Sequence, residues 1–328
     1  MITIHQNPQN VDDEYLRCLN VCYGWWGNSQ QFYWYFRRKT AYPDPDLIVM
    51  QIDGQMAAGS AVSYRKVALP NGNQITVGLV TGAWTLPQFR GRGCFVRLIE
   101  ESVKITEQRG GALLLGFVRE ENPSSRQMAR LGSALFPSAY LTSTLRPHAI
   151  DDALKFKRVT NSNHLTVTIF RKLNDKSADH SRFFYPNECD FSAQFIHRPS
   201  PTELLSDNCG NIGIVEKREK ADILQLAIID NEEQSHIVRS IAGFLNHARN
   251  EGRQLLLYST SPLVIEIGAR IGFEVRTGYL TVLIADEHKL TASLELSSLL
   301  KKNDSYLLAQ PENPCFLGPW NLQNGDRL

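Results

Sequence analysis

Gln88-Phe89-Arg90-Gly91-Arg92-Gly93 stands between an apolar run at residues 77–84 and a stretch of helical periodicity that starts near Cys94. A glycine-punctuated passage from strand to helix leaves several backbone N–H groups pointing one way at the positive end of a helix dipole, which suits a phosphate. Upstream, residues 47–52, 55–68 and 74–85 are extended segments joined by two hairpin signals, Asp53-Gly54 and Asn71-Gly72-Asn73, so they predict an antiparallel meander. Before it, residues 11–23 and a segment capped by Ser29 read as two helices, the second dense in aromatics.

Downstream, Phe95, Leu98, Ile99, Val103 and Ile105 mark the inner face of a helix that ends at Gly110-Gly111. A short buried strand at 113–118, a helix opened by Asn122-Pro123 and a strand at 139–145 follow. The stretch 147–186 reads as a linker with one strand, at 165–170. Beyond it lie strands at 212–215 and 223–229, a helix at 235–250, a strand at 255–258, a helix at 262–270 and a strand at 273–284.

That order repeats the first half. Gly110-Gly111, Leu113-Leu114-Leu115, Leu131-Gly132 and Tyr140-Leu141-Thr142 are matched by Gly252, Leu255-Leu256-Leu257, Ile271-Gly272 and Tyr279-Leu280-Thr281, which suggests a diverged internal duplication. The expected domains are therefore 1–146 and 187–328, joined by 147–186. The fold class is α/β (α+β): each domain is a mixed, largely antiparallel sheet flanked by helices.

The chain has 328 residues with 35 basic and 34 acidic side chains, so it lacks the electrostatic footprint expected for nucleic acid or anionic membrane. Its six cysteines, among them Cys18 and Cys22 on the first helix, form no metal-ligand spacing, and no metal site is expected. Met1-Ile2-Thr3-Ile4-His5 does not resemble a secretory signal and no long apolar run suggests a membrane span, so the expected location is cytoplasmic.

With the strand, the turn and the helix in place, the first half resembles the GNAT superfamily of acyl-CoA N-acyltransferases. Gln88-Phe89-Arg90-Gly91-Arg92-Gly93 matches the Q/R-x-x-G-x-G/A loop of that family, and the whole chain looks like a tandem GNAT. The resemblance implies that acetyl-CoA or another acyl-CoA is the cosubstrate. Its pyrophosphate would lie on the amides of Arg90, Gly91, Arg92, Gly93 and Cys94, with Gln88 and Phe89 in the same loop. The pantetheine arm would lie where the strand ending in Trp84, Thr85 and Leu86 splays from the next one, with Asn122 and Ser125 opposite. A backbone N–H near Leu86 is the expected oxyanion donor.

For acid–base work the candidates are Glu120 and Glu121, which follow the strand, and Tyr140 on the next one. The family's frequent tyrosine is absent, because the helix after Asn122 carries Met128 and Ala129. Cys94 at a helix start would have a lowered pKa if exposed. His148, His164, His180 and His197 show no catalytic pattern. Trp25, Trp26 and the aromatics at 32–36 either select an apolar acceptor or fill the core.

In the second half the equivalent loop, Asp230-Asn231-Glu232-Glu233-Gln234-Ser235-His236, has no glycine and three carboxylates, so it is not expected to hold coenzyme A. That half would wall the acceptor site, shield an edge or make a homodimer contact. The expected activity is direct acyl transfer to the amine of a small-molecule acceptor. The alternatives are an acyl-carrier-protein donor for N-acyl amino acid synthesis and a non-catalytic acyl-CoA-binding module.

Overall fold

The hairpin signals become real turns in the computed structural model of the chain, which describes residues 1–144, 152–159, 162–175, 180–230 and 233–327. Strand β1 (Ile2–Gln6) leads into helices α1 (Asp12–Tyr23) and α2 (Ser29–Phe36), then β2 (Asp46–Ile52), β3 (Gln55–Ala68) and β4 (Gln74–Thr85). Asp53 and Gly54 both take positive φ, 51° and 78°, which closes the first hairpin in the sense that suits strand twist. The cap of α2 is Asn28 rather than Ser29: Asn28 accepts from the Gln31 amide while the Gln31 side chain accepts from the Asn28 amide, a full capping box.

After the glycine turn come α3 (Cys94–Gln108), β5 (Leu113–Arg119) and α4 (Pro123–Arg130). Helix α3 buries Cys94, Leu98, Ile99, Ser102, Ile105 and Thr106; the expected Phe95 and Val103 are only half-buried at the edge of that face. Its end is fixed by a fully buried carboxylate. Asp46 accepts from Arg109 Nε at 2.9 Å and Nη2 at 2.8 Å, from the Tyr64 hydroxyl at 2.6 Å, and from the Gln6 and Asn7 amides at 2.9 and 2.6 Å. Burial raises the Asp46 pKa, but these donors outweigh it and hold the carboxyl below its ordinary value.

The chain then continues through β6 (Ala134–Ser143), β7 (Lys157–Arg158), α5 (Ser162–Asp175), β8 (Arg182–Phe184), α6 (Glu188–Phe195), β9 (Thr202–Ser206), β10 (Ile212–Lys217) and β11 (Ala221–Ile228). It ends with α7 (Gln234–Asn250), β12 (Gln254–Ser259), α8 (Pro262–Arg270), β13 (Phe273–Ile284), α9 (Glu287–Ser293) and two short 3-10 turns, Lys302–Ala309 and Asn324–Arg327. The expected strand at 165–170 is part of helix α5. Its β-branched residues favour a strand, but Leu165, Ile169 and Leu173 recur at helical spacing and Ile169 is fully buried, so tertiary packing decides.

The compact units do not follow the boundaries 1–146, 147–186 and 187–328. The first comprises Met1–Leu135 and Leu280–Gly318; the second comprises Phe136–Tyr279 and Pro319–Arg327. Their closing strands are exchanged. Strand β6 pairs antiparallel with β12, Thr142 opposite Leu256 and Tyr140 opposite Tyr258. The slot beside β5 is filled by the end of β13: Thr281 Oγ1 donates to the Gly116 carbonyl at 3.1 Å, and the amides of Ala285 and Asp286 both donate to Ala112. Both strands carry Tyr-Leu-Thr.

The supposed linker is packed rather than extended. Phe156 stacks on Phe244 with centroids 3.9 Å apart, and Phe183 and Tyr185 are buried. The residue 146/147 boundary and His148 lie outside the described residues. Sheet order is β1-β2-β3-β4-β5-β13 in the first unit and β6-β12-β11-β10-β9-β7 in the second. Among the described residues no helix is long and apolar enough to cross a membrane.

Candidate active site

Strands β4 and β5 run parallel and pair only over Val77–Leu113, Gly78–Leu114 and Leu79–Leu115. Beyond Leu79 the two separate, leaving a wedge whose β4 side ends in Trp84, Thr85 and Leu86. Pro87–Phe89 form a 3-10 turn, with Phe89 buried and Gln88 exposed, and Gly91 and Gly93 then adopt φ of 79° and 73°. A Cβ at either glycine would meet nothing within 4 Å, so glycine is there for its left-handed backbone, on open surface, and not for lack of room.

The first amide that donates into α3 is Arg97, to the Gly93 carbonyl. Among the described residues the amides of Gly91, Arg92, Gly93, Cys94, Phe95 and Val96 donate to no backbone carbonyl. Arg90 and Arg92 are exposed beside them; Arg92 lies over the Phe89 ring at 5.4 Å, and Arg90 Nε donates to the Thr85 carbonyl at 3.4 Å. The helix N-terminus, amides without backbone acceptors and two exposed cations lie together at the mouth of the wedge, a combination that can attract an anion.

The structure places Cys94 and the Leu86 amide as follows. Cys94 is buried, with Sγ 3.7 Å from the Phe89 carbonyl, and burial pushes its thiol pKa up, so it is not an activated thiolate. The Leu86 amide donates to the Ala57 carbonyl at 3.0 Å.

On the far side of the wedge, Asn122 caps α4 without a side-chain capping bond and Ser125 is buried one turn on. Glu120 and Glu121 are exposed just past β5, with Glu121 3.3 Å from Arg119. Tyr140 is not in this unit. It lies in the second, its ring 5.2 Å from Tyr258 and under the Arg327 guanidinium at 4.4 Å.

Tyr23, which sequence reading passed over, and Cys22, which it weighed only as a metal ligand, reach β4 from the last turn of α1. The Tyr23 hydroxyl donates to the Ala83 carbonyl at 2.5 Å, and Cys22 Sγ lies 3.4 Å from the Thr85 carbonyl. Although half of Tyr23 is exposed, its phenol end is set against the sheet, and desolvation pushes its pKa up to about 12. Their only sequence signal is position: they immediately precede Gly24, which ends the helix. The aromatic stretch divides between its two readings. Tyr15, Phe32, Phe36 and Trp84 are buried in edge-to-face contacts, whereas Trp25 and Tyr33 are 73% and 63% exposed.

The second unit's counterpart differs. Asn231 and Glu232 lie outside the described residues; Asp230 is paired with Lys172 at 2.5 Å, and Glu233 caps α7 at φ −61° with no side-chain capping bond. His164 is exposed on α5, His180 sits 3.2 Å from Asn321, and His197 follows α6. Among the described residues one group, Glu203, His247 and Glu251, brings metal-type ligand atoms together. Lys217 Nζ lies 2.5 Å from Glu251 and Arg158 2.6 Å from Glu203, so the group is an ion-pair network.

Residues 9–124 match the family model described as acetyltransferase (GNAT) domain. No curated protein matches the chain. Among solved structures it is similar to a GCN5-related N-acetyltransferase from Anabaena variabilis (TM-score 0.62, 11% identity, 89% of this chain and 75% of that one). It is likewise similar to one from Kribbella flavida (0.57, 12%, 89% and 73%) and to a tandem GNAT protein from the clavulanic acid biosynthesis pathway (0.56, 13%, 87% and 99%). At these identities the structural likeness establishes the fold.

Proposed function

We propose that the chain, whose residues 9–124 match an acetyltransferase (GNAT) domain, is an acyltransferase that moves an acetyl or other acyl group directly from coenzyme A to the amine of a small-molecule acceptor. The observation that carries this is the row of unused amides from Gly91 to Val96 at the mouth of the β4–β5 wedge. Acyl-CoA would supply the thioester that the amine attacks. The amides of Gly91, Arg92, Gly93 and Cys94 would hold its pyrophosphate, with Arg90 and Arg92 adding charge-assisted bonds. The wedge edge of β4, from Ala83 to Thr85, would take the amide-bearing arm, with Asn122 and Ser125 on the other side.

For proton transfer, Glu120 or Glu121 accepts the amine proton, directly or through water. Tyr23 replaces the tyrosine missing from α4 as proton donor to the leaving thiolate: its phenol retains its proton at neutral pH and already points at the β4 backbone. The second unit holds no coenzyme A. Thiol release from acetyl-CoA over a panel of amines, alongside calorimetry with coenzyme A, tests the reading. Tight binding without turnover on any acceptor would favour the binding-module reading, which the Met128 and Ala129 replacements motivate. Turnover only with acyl-carrier protein would change the donor.

A further inference from the structure

In the second unit, β11 and β12 run parallel and pair only over Ala221–Gln254, Asp222–Leu255 and Ile223–Leu256, then part as β4 and β5 do. This second wedge is full. Trp320 and Leu322 clip onto its β12 side: Thr260 Oγ1 donates to the Trp320 carbonyl at 2.6 Å and accepts from the Leu322 amide at 2.9 Å, while Gln323 bridges Ser259 in antiparallel fashion.

On the β11 side a side chain imitates a strand. The Ala227 amide donates to Gln323 Oε1 at 2.6 Å, and Gln323 Nε2 donates to the Ala227 carbonyl at 2.9 Å, so one carboxamide satisfies both backbone groups of an edge residue. The segment is then held from every side. Asp326 accepts from the Tyr185 hydroxyl and from the Gln323 amide, Asn324 Nδ2 donates to Gln225, and Gln194 Nε2 donates to the Gly325 carbonyl. A Cβ at Gly325 would fall 2.1 Å from the Phe195 ring and 3.0 Å from the Gln225 carbonyl, so this fit requires glycine.

We propose that the second wedge is an occupied binding site for an extended, amide-bearing chain, and that its ligand is the chain's own Pro319–Arg327 segment, with the Gln323 carboxamide as anchor. The inference rests on the reading that the second unit holds no coenzyme A, and it adds the reason: the arm's path is filled from within. Two differently placed variants loosen the segment: Gln323→Ala removes the β11 anchor, and Thr260→Val removes the β12 clip.

In the full-length protein each should speed hydrogen exchange about tenfold at Ala227 and Leu322, with no change in β3–β4. A fluorescein-labelled peptide of residues 319–328 should bind both variants saturably and leave the wild type unbound, and the same peptide carrying Gln323→Ala should not bind. Failure of the peptide to bind either variant, equal binding to the wild type, or exchange rising throughout the second unit would overturn the proposal. Coenzyme A titrated into the same samples separates the two readings. Absence of binding by the wild type would sink the proposed function while peptide capture still decided the occupant. A second equivalent taken up only by the loosened variants would overturn the empty-of-nucleotide reading and support the segment as the occupant.

Discussion

The molecule contains two wedges made by parallel strand pairs that separate after three residue pairs, and they have opposite contents. At the first, two left-handed glycines end the strand-to-helix passage, six amides have no backbone acceptor among the described residues, and Tyr23, Cys22 and Arg90 reach the Ala83 and Thr85 carbonyls at the end of β4. At the second, Glu233 caps the helix and the Gln323 carboxamide has taken the edge of β11. The same sheet geometry is therefore bordered by amides without backbone acceptors in one unit and closed by the chain's own segment in the other. What separates them is the loop and the occupant, neither of which the strands determine.

The largest expected effect comes from giving the first loop the chemistry of the second. Gly91→Glu puts a carboxylate where a pyrophosphate would lie and a side chain where φ is 79°, so coenzyme A binding should fall below detection in calorimetry while circular dichroism is unchanged. Binding retained at wild-type strength would dissolve the contrast. Next is Asp46→Ala, which orphans the buried Tyr64 hydroxyl and leaves the part-buried Arg109 guanidinium unpaired, and should cost the first unit about 3 kcal/mol, read as loss of exchange protection in β2–β4 with β10–β11 unaffected.

Because the folded Asp46 pKa is depressed, its contribution is complete above the unfolded carboxylate's pKa and is lost as pH falls through the folded one. Asp46→Asn should accordingly flatten the acid side of the stability profile. Tyr23→Phe should lower kcat about a hundredfold with the coenzyme A Kd unchanged, and an unaltered kcat would remove Tyr23 from the chemistry. The smallest effect is Gly93→Ala: a Cβ at φ 73° with open space around it should cost about 1 kcal/mol in thermal unfolding.

Much of the first wedge is legible in the sequence, because its signals are local. Asp53-Gly54 and Asn71-Gly72 specify hairpins, and Gln88 to Gly93 between an apolar run and an amphipathic helix specifies the turn, so the splay follows from neighbouring elements. The exchange of β6 and β13 is not legible, since both carry Tyr-Leu-Thr and nothing local tells either strand which slot to fill. Nor is the Gln323 plug: residues 319–327 have no periodicity, and the anchor is one carboxamide meeting a backbone about a hundred residues away in sequence. Helix α5 misleads because its β-branched residues argue for a strand while their spacing argues for a helix. Tyr23 matters only once the folded chain lays α1 along β4.

Isothermal titration of the intact chain with coenzyme A tests the contrast between the two wedges most directly. The account predicts saturation at a single equivalent per chain, abolished by Gly91→Glu and untouched by Gln323→Ala. Two equivalents in the wild type, or binding that survives Gly91→Glu, would contradict it.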